Sequence, residues 1–414
     1  MKNRLHAAAL FLLTFASSCV GCLGCKSPVD VPGSNLPGSC QNVSPLIQPP
    51  KLDVLFMIDN SSSMIEEQEG IARELPAFIS ELRKSGGISL DFHVGVITSS
   101  VYQHTLVAGV DFNKRYPTYA GKLQAVPDAS PDGGVVPGTG TERVLDGNDP
   151  LVVDKFARLV RQGVLGSGQE TPFEAIRLAL TDLDKVSQEL GGNAGFLRDG
   201  ARLLVVVLSD EDDCSEKVAP GGKSVVTVGD DPLVDDCLNQ INSLTPVADY
   251  FDLFHGGLKD SRGQTRDVIW TAVAAVSTVN KSAMAVVEGG QVRNVDCHTS
   301  NAPAFRHRRM AELFDSSLVN LDSICRDNYR NTLLTIAQLA SVSQSLDITG
   351  VPDPQMLQIS ITRQSGVVQT CTLSSGLERF EPPTANLRGR VFFGSDCRRR
   401  ADDLKVEINM LCIN

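Results

Sequence analysis

Two absences bound this chain before any motif is read. Past Phe15 no apolar run approaches the roughly 20 residues a helix needs to cross a bilayer. No basic tract longer than Arg398-Arg399-Arg400 interrupts a formal net charge of −11 over 414 residues. The first excludes a bundle of membrane-spanning helices. The second argues against nucleic acid and anionic membrane surfaces as partners. Catalytic signatures are missing as well: there is no Gly-x-Ser-x-Gly elbow, no full Gly-x-x-x-x-Gly-Lys-Ser/Thr phosphate loop and no His-Glu-x-x-His. None of the 6 histidines sits in a recognisable catalytic setting, so a binding role is expected rather than an enzyme.

What is present begins with the N-terminus. Lys2 and Arg4, the apolar stretch from Ala7 to Phe15 and the small residues Ala16-Ser17-Ser18 before Cys19 read as an export signal, too short to span a membrane. Its end resembles a bacterial lipoprotein cleavage site with Cys19 as the lipidated residue. Ala16 stands where Leu is usual, and Cys22 and Cys25 compete; ordinary secretory cleavage is the alternative. Val20 after Cys19, by analogy with Gram-negative sorting, points to the outer membrane, so a lipid anchor in the cell envelope is expected, with a secreted or periplasmic protein as the alternative. Eleven cysteines in an exported chain imply disulfides, and lipidation at Cys19 leaves an even ten to pair. Cys214 with Cys237 and Cys297 with Cys325 are the expected pairs; Cys371, Cys397 and Cys412 are candidates near the C-terminus. Cys297-His298 with Cys325 is also the outline of a partial zinc site, but an oxidising compartment favours the disulfide.

The chain divides into a signal (1–18), a tether (19–50), a large domain (51–345) and a small disulfide-supported β module (346–414). The tether is rich in Pro, Gly, Ser and Asn without apolar period. Strand and helix patterns then alternate, the signature of a parallel sheet with helices on both faces. Val54 to Ile58 and Leu203 to Ser209 are continuous apolar runs, and Met64, Ile65, Ile71, Leu75, Phe78, Ile79 and Leu82 recur at helical spacing. Strands are further expected over Leu90 to Thr98, Val268 to Val279 and Ser317 to Leu321. Residues 100–148, dense in Pro, Asp and Gly, read as an irregular insertion with one short strand at most. Past Gly350 the period changes to two, as in Leu357, Ile359 and Ile361.

The most informative stretch is Asp59-x-Ser61-x-Ser63, directly after the first buried strand. Thr171 follows Gly166-Ser167-Gly168 at a helix start, and Asp210 ends the second strong strand. Open α/β sheets place ligand sites at the C-terminal ends of their strands, so these five oxygen-bearing residues form a candidate divalent-cation site. Each also has an ordinary reading: Ser63 with Glu66 makes a capping box, Thr171-Pro172 an N-cap with a first-turn proline, and Asp210 the head of an acidic loop. The acidic run Asp210-Glu211-Asp212-Asp213 raises the question of a second calcium site, but its spacing fits no EF-hand.

The order and placement of these residues resemble the von Willebrand factor type A domain with its metal-ion-dependent adhesion site. Asp59, Ser61 and Ser63 match the family's Asp-x-Ser-x-Ser, Thr171 its threonine and Ser209-Asp210 its strand-end aspartate; Glu211 departs from the usual glycine. The resemblance implies a doubly wound α/β fold, Rossmann-like, with a mostly parallel sheet flanked by helices, here followed by the C-terminal β module. It implies Mg²⁺, Mn²⁺ or Ca²⁺ at the site and a protein ligand offering a Glu or Asp carboxylate to the ion. Expected function is therefore adhesion or envelope assembly through a bound cation. The alternative is a structural scaffold lipoprotein in which the metal only orders loops and the β module makes the contacts.

Overall fold

In the computed structural model the described residues are 39–42, 51–84, 90–129, 135–136, 139–181, 193–217, 223–348, 354–384, 387–400 and 403–411. The export signal, Cys19, Cys22, Cys25 and Cys412 lie outside them. No described helix is long and apolar enough to cross a membrane.

Strands β2 (Lys51–Ile58), β3 (Asp91–Thr98), β8 (Leu145–Asp146), β9 (Arg202–Leu208), β10 (Val268–Ala274) and β13 (Leu321–Ser323) form one sheet in the order β13-β10-β9-β2-β3-β8. Only β8, at the edge, runs antiparallel to its neighbour. Every residue of β9, and of β2 after Lys51, is buried, as expected of strands covered on both faces. Alternation then divides the side chains between two cores. Leu52, Val54, Phe56 and Ile58 pack with helices α1 (Ile65–Lys84), α2 (Val152–Leu159) and α6 (Arg330–Ser341). Leu55 and Met57 pack with α3 (Pro172–Thr181), α4 (Val247–Asp252) and α5 (Phe305–Phe314). On the first face the Phe56 ring meets Phe78 and Phe156 edge-on, at 5.7 and 5.0 Å between centroids, an arrangement that adds to plain area burial. Of the apolar residues assigned to the buried stripe of α1, Ile65 alone faces solvent, 58% exposed.

The stretch expected to be irregular carries regular structure. Strands β4 (Tyr102–Val107) and β5 (Val110–Arg115) form a hairpin, and β6 (Asp128–Ala129) pairs with β7 (Val135–Val136). The hairpin turns through Ala108 and Gly109, both left-handed at φ 50° and 79°, the conformation a two-residue turn needs to match strand twist. A second hairpin joins β11 (Ala285–Glu288) to β12 (Gln291–Asn294). Two sequence boundaries move: β10 stops at Ala274, and the short strand expected over 317–321 begins only at Leu321.

The C-terminal region is two sheets with a common core. Strand β1 (Ser39–Asn42), β19 (Asp403–Leu411), β15 (Leu357–Arg363) and β16 (Val368–Cys371) form one; β14 (Ser345–Ile348), β18 (Gly389–Phe393) and β17 (Leu377–Glu381) form the other. Ile348, Leu357, Ile359, Ile361, Val391, Phe393 and Ile408 fill the space between, beside the Cys371–Cys397 disulfide. Part of the expected tether is thus a strand: Ser39–Asn42 runs antiparallel to β19. The region is held to the larger one by polar contacts, with Arg398 donating to the Phe314 carbonyl at 2.8 Å and pairing with Asp315 at 3.1 Å.

The expected fold class, a doubly wound, mostly parallel Rossmann-like sheet with one small β module, does not describe this chain. Among the described residues its strands are spread over six sheets, and the five beyond the central one are small and antiparallel. Of the strand pairings described, nine are antiparallel against four parallel. The physical reason lies in extrapolation. Four long buried runs carry the parallel pattern, whereas most of the other strands are short segments whose polar alternation resembles loop composition.

Candidate metal centre

Three neighbouring parallel strands, β9, β2 and β3, end side by side, and the residues that leave their C-terminal ends meet there. Asp59 continues β2, with its N–H still donating to the Leu208 carbonyl of β9 at 2.9 Å. Its carboxylate is fully buried and turned back on its own loop: Oδ1 accepts from the Ser61 N–H at 2.8 Å and Oδ2 from the Ser209 hydroxyl at 2.6 Å. Gln68 on α1 fixes the loop from below, its amide donating to the Asp59 and Gly163 carbonyls, both at 3.0 Å. The Ser61 and Ser63 hydroxyls lie 3.1 Å apart.

Thr171 arrives from the neighbouring loop. Gly166 of that loop donates to the Asn60 carbonyl at 2.8 Å, and a Cβ there would fall 2.4 Å from the Asn60 side-chain oxygen, so the approach requires glycine. Thr171 does not cap α3. Its hydroxyl donates to the Ser99 carbonyl at the end of β3, at 2.7 Å. The first N–H groups of α3 are taken instead by Asp213, accepting from Phe173 at 3.0 Å, and by the Ser215 hydroxyl, accepting from Glu174 at 2.9 Å. The capping reading of Thr171 therefore falls, and its oxygen keeps lone pairs for another partner.

Asp210 is fully buried, and its Oδ1 meets no hydrogen-bond donor. Asn301 holds the rest of the residue, its N–H donating to the Asp210 carbonyl at 3.1 Å and its side-chain amide to Oδ2 at 3.4 Å. Of the three acids that follow, Asp212 and Asp213 serve the scaffold. Asp212 accepts from the Arg306 N–H at 2.8 Å at the start of α5, and Asp213 pairs with the Arg306 guanidinium at 2.9 Å. Both are thereby removed from any second calcium site.

Carboxyls that the sequence reading left out of the site add to its charge. Glu170 is buried one residue before Thr171, Glu67 acts on Asp59 and Asp210 from α1, and Glu211, mostly buried at the rim, follows Asp210. The only available signal for Glu170 is its adjacency to Thr171, where an acid reads as ordinary helix-start chemistry. Burial pushes the Asp59 carboxyl up, against the hydrogen bonds from Ser209 and Ser61. Burial first and then the Asp59 and Glu211 charges hold Glu170 and Asp210 well above the usual carboxylate range. Glu211 is pushed up to about 8 by burial and the Asp59 charge.

Several buried acids elsewhere in the protein are paired with arginine. Asp53 meets Arg198 at 2.7 Å, Asp213 meets Arg306 and Asp403 meets Arg399 at 2.7 Å. Among the described residues no lysine or arginine forms an ion pair with the Asp59, Glu170, Asp210 or Glu211 carboxyls. Burying such charges unpaired is costly, so they either keep their protons or meet a cation. The donor chemistry fits a hard divalent ion: two aspartates and three hydroxyls are all oxygen, as Mg²⁺ and Mn²⁺ sites require. No cluster of three or more His, Cys, Asp or Glu able to hold a metal by itself occurs among the described residues, so the hydroxyls are essential to any such site. Near by, Cys214 is bonded to Cys237, and Cys297 to Cys325. The latter bond removes the zinc reading, and His298 faces Glu288 instead, at 2.8 Å.

No protein-family model matches the chain, and no curated protein matches it. Solved structures give distant likenesses. Proximal thread matrix protein 1 from the mussel byssus is 10% identical at a TM-score of 0.31, over 70% of this chain and 48% of its own. The pilus adhesin SpaC from Lactobacillus rhamnosus GG is 12% identical at 0.33, over 89% of this chain and 39% of its own. The adhesive tip pilin GBS104 from Group B Streptococcus agalactiae is 10% identical at 0.30, over 90% and 81%. This chain spans less than half the length of the first two, and likenesses of this size settle neither fold nor function.

Proposed function

We propose that this chain is an exported, lipid-anchored envelope protein that captures an acidic side chain of a protein ligand through a divalent cation. The cation is held by Asp59, Ser61, Ser63, Thr171 and Asp210, in the manner of a metal-ion-dependent adhesion site. One observation carries the reading: the buried Asp59 and Asp210 carboxyls converge on hydroxyls where three strands end and, among the described residues, have no ion pair of the kind that Asp53 and Asp213 make with arginine. When bound, Mg²⁺ or Mn²⁺ supplies a positive centre with a coordination position open to an outside carboxylate. The chain's part is to hold the donors rigid, and the hydrogen bonds from Gln68, Ser209 and Asn301 do this. Nothing in this chemistry needs a general base or a nucleophile. Capture of envelope proteins by the immobilised chain, in Mg²⁺ against EDTA, tests the proposal. Binding should be lost in EDTA and in Asp59→Ala; binding that survives both would move the contact surface to the C-terminal sheets and leave the metal a loop-ordering role.

A further inference from the structure

The basic tract Arg398-Arg399-Arg400 lines a cavity of about 580 Å³ between the C-terminal sheets and the larger region. Its other residues come from the loop that leads into β13 and from the end of α6 and beyond, so it lies at the N-terminal end of the central sheet, opposite the cation residues. That volume is in the range that holds a small ligand. Val319, Leu339 and Val342 make its apolar side, the last two three residues apart on one stripe of the helix.

Two of the three arginines have structural tasks. Arg398 pairs with Asp315 at 3.1 Å and donates to the Phe314 carbonyl at 2.8 Å; Arg399 pairs with Asp403 at 2.7 Å and lies over the Phe393 ring at 5.6 Å. Arg363 takes the other oxygen of Asp403, so three guanidiniums share two carboxylates before Arg400 is counted. Arg400 is exposed, and among the described residues its guanidinium meets no carboxylate. Its backbone is nonetheless fixed. The Arg400 N–H donates to Asp403 at 3.0 Å, and Arg399 beside it exchanges two hydrogen bonds with the Gln344 side chain, at 2.9 and 3.0 Å. A held backbone therefore presents a five-donor fork beside a half-apolar cavity, in a chain whose net charge is −11.

We propose that this cavity is a second binding site, separate from the cation site, and that it takes a small amphipathic organic anion. The anion's carboxylate or sulfonate meets Arg400, and its apolar body lies against Val319, Leu339 and Val342. A guanidinium fork binds such oxygens through two parallel hydrogen bonds, and the apolar side adds buried area. Ordinary solvation of a surface arginine predicts otherwise: removing the Arg400 charge would then change nothing that binds in the cavity.

Fluorescence titration of anilinonaphthalene sulfonate into the full chain in EDTA, on wild type, Arg400→Gln and Val319→Trp, decides between them. Wild type should show one saturable site, displaced by octanoate but not by equal concentrations of inorganic phosphate or octanol, which offer the charge or the apolar body alone. Losing a hydrogen bond to a charged group weakens binding about tenfold or more. Arg400→Gln should show that loss, and Val319→Trp, which fills the cavity from a position 42% exposed, should bind little. No saturable binding by folded wild type, wild-type affinity in either variant, or displacement by phosphate or octanol as effective as by octanoate would overturn the proposal. Should Val319→Trp fail to fold by circular dichroism, Arg400→Gln, a change on an exposed side chain, decides alone.

Discussion

In EDTA the melting temperature should fall by several degrees as pH rises from about 6.5 to about 8, and saturating Mn²⁺ should flatten that fall. Glu211 has an ordinary value of 4.5 and is pushed to about 8 in the fold; Glu170 and Asp210 are raised in the same sense. For a carboxyl raised this way, stability is greatest below the unfolded value and is lost as pH climbs through the folded one, because the native state holds protons the unfolded state has released. Two histidines lowered from 6.5 by burial, His93 and His307, oppose the trend at lower pH. His307, brought to about 4, makes stability rise with pH between those values, so above 6.5 the fall belongs to raised carboxyls; Asp212, also pushed up to about 8 by burial but bonded to the Arg306 N–H, contributes a part that Mn²⁺ leaves in place. A cation replaces the protons, and its binding strengthens as they leave. At a hundredfold excess over its Kd it also adds about 2.7 kcal/mol of stability. Differential scanning calorimetry at four pH values, with EDTA or Mn²⁺, measures both effects. A melting temperature flat across the window in EDTA, or an equal fall with Mn²⁺ present, would contradict the reading.

Removing the Cys214–Cys237 bridge as a Cys214→Ala, Cys237→Ala pair should cost about 3 kcal/mol in urea unfolding, the chain-entropy value for a loop of this size, and should weaken Mn²⁺ binding. The bridge closes a separation of 23 residues around a small core of Val226 and Leu244. Its Cys214 N–H holds the Glu170 carbonyl, and the preceding Asp213 starts α3 just after Thr171. Loosening it therefore loosens the wall of the site. Cys371–Cys397, with a similar separation of 26, lies in the C-terminal core away from these contacts. Its removal should cost comparable stability and leave Mn²⁺ affinity unchanged. Equal effects of the two pairs on cation binding would sever the link drawn here between the bridge and the site.

The positions of Asp59, Ser61, Ser63, Thr171 and Asp210 could be read from sequence because β2 and β9 are unbroken apolar runs, and an unbroken run ends visibly. The fold class was not legible. Alternation in β4 and β5 passes for loop composition, since Leu106 and Phe112 are over half exposed, and their turn uses Ala108-Gly109 rather than the Asn-Gly that signals a hairpin. Likewise Ser39–Asn42 is a strand only because β19, more than 350 residues later, supplies its partner; no local signal encodes that. Thr171-Pro172 carries the ordinary marks of a cap, and only the tertiary arrival of Asp213 and Ser215 frees its hydroxyl. Glu170 went unread for a related reason: burial without a partner is a property of the assembled site.

Titration of Mg²⁺ and Mn²⁺ by calorimetry into wild type and into an Asp59→Ala, Ser61→Ala double variant tests the central claim most directly. The account predicts saturable binding at one site in the wild type and none in the variant. A folded wild type that binds neither ion, or a variant that binds as tightly as wild type, would contradict it.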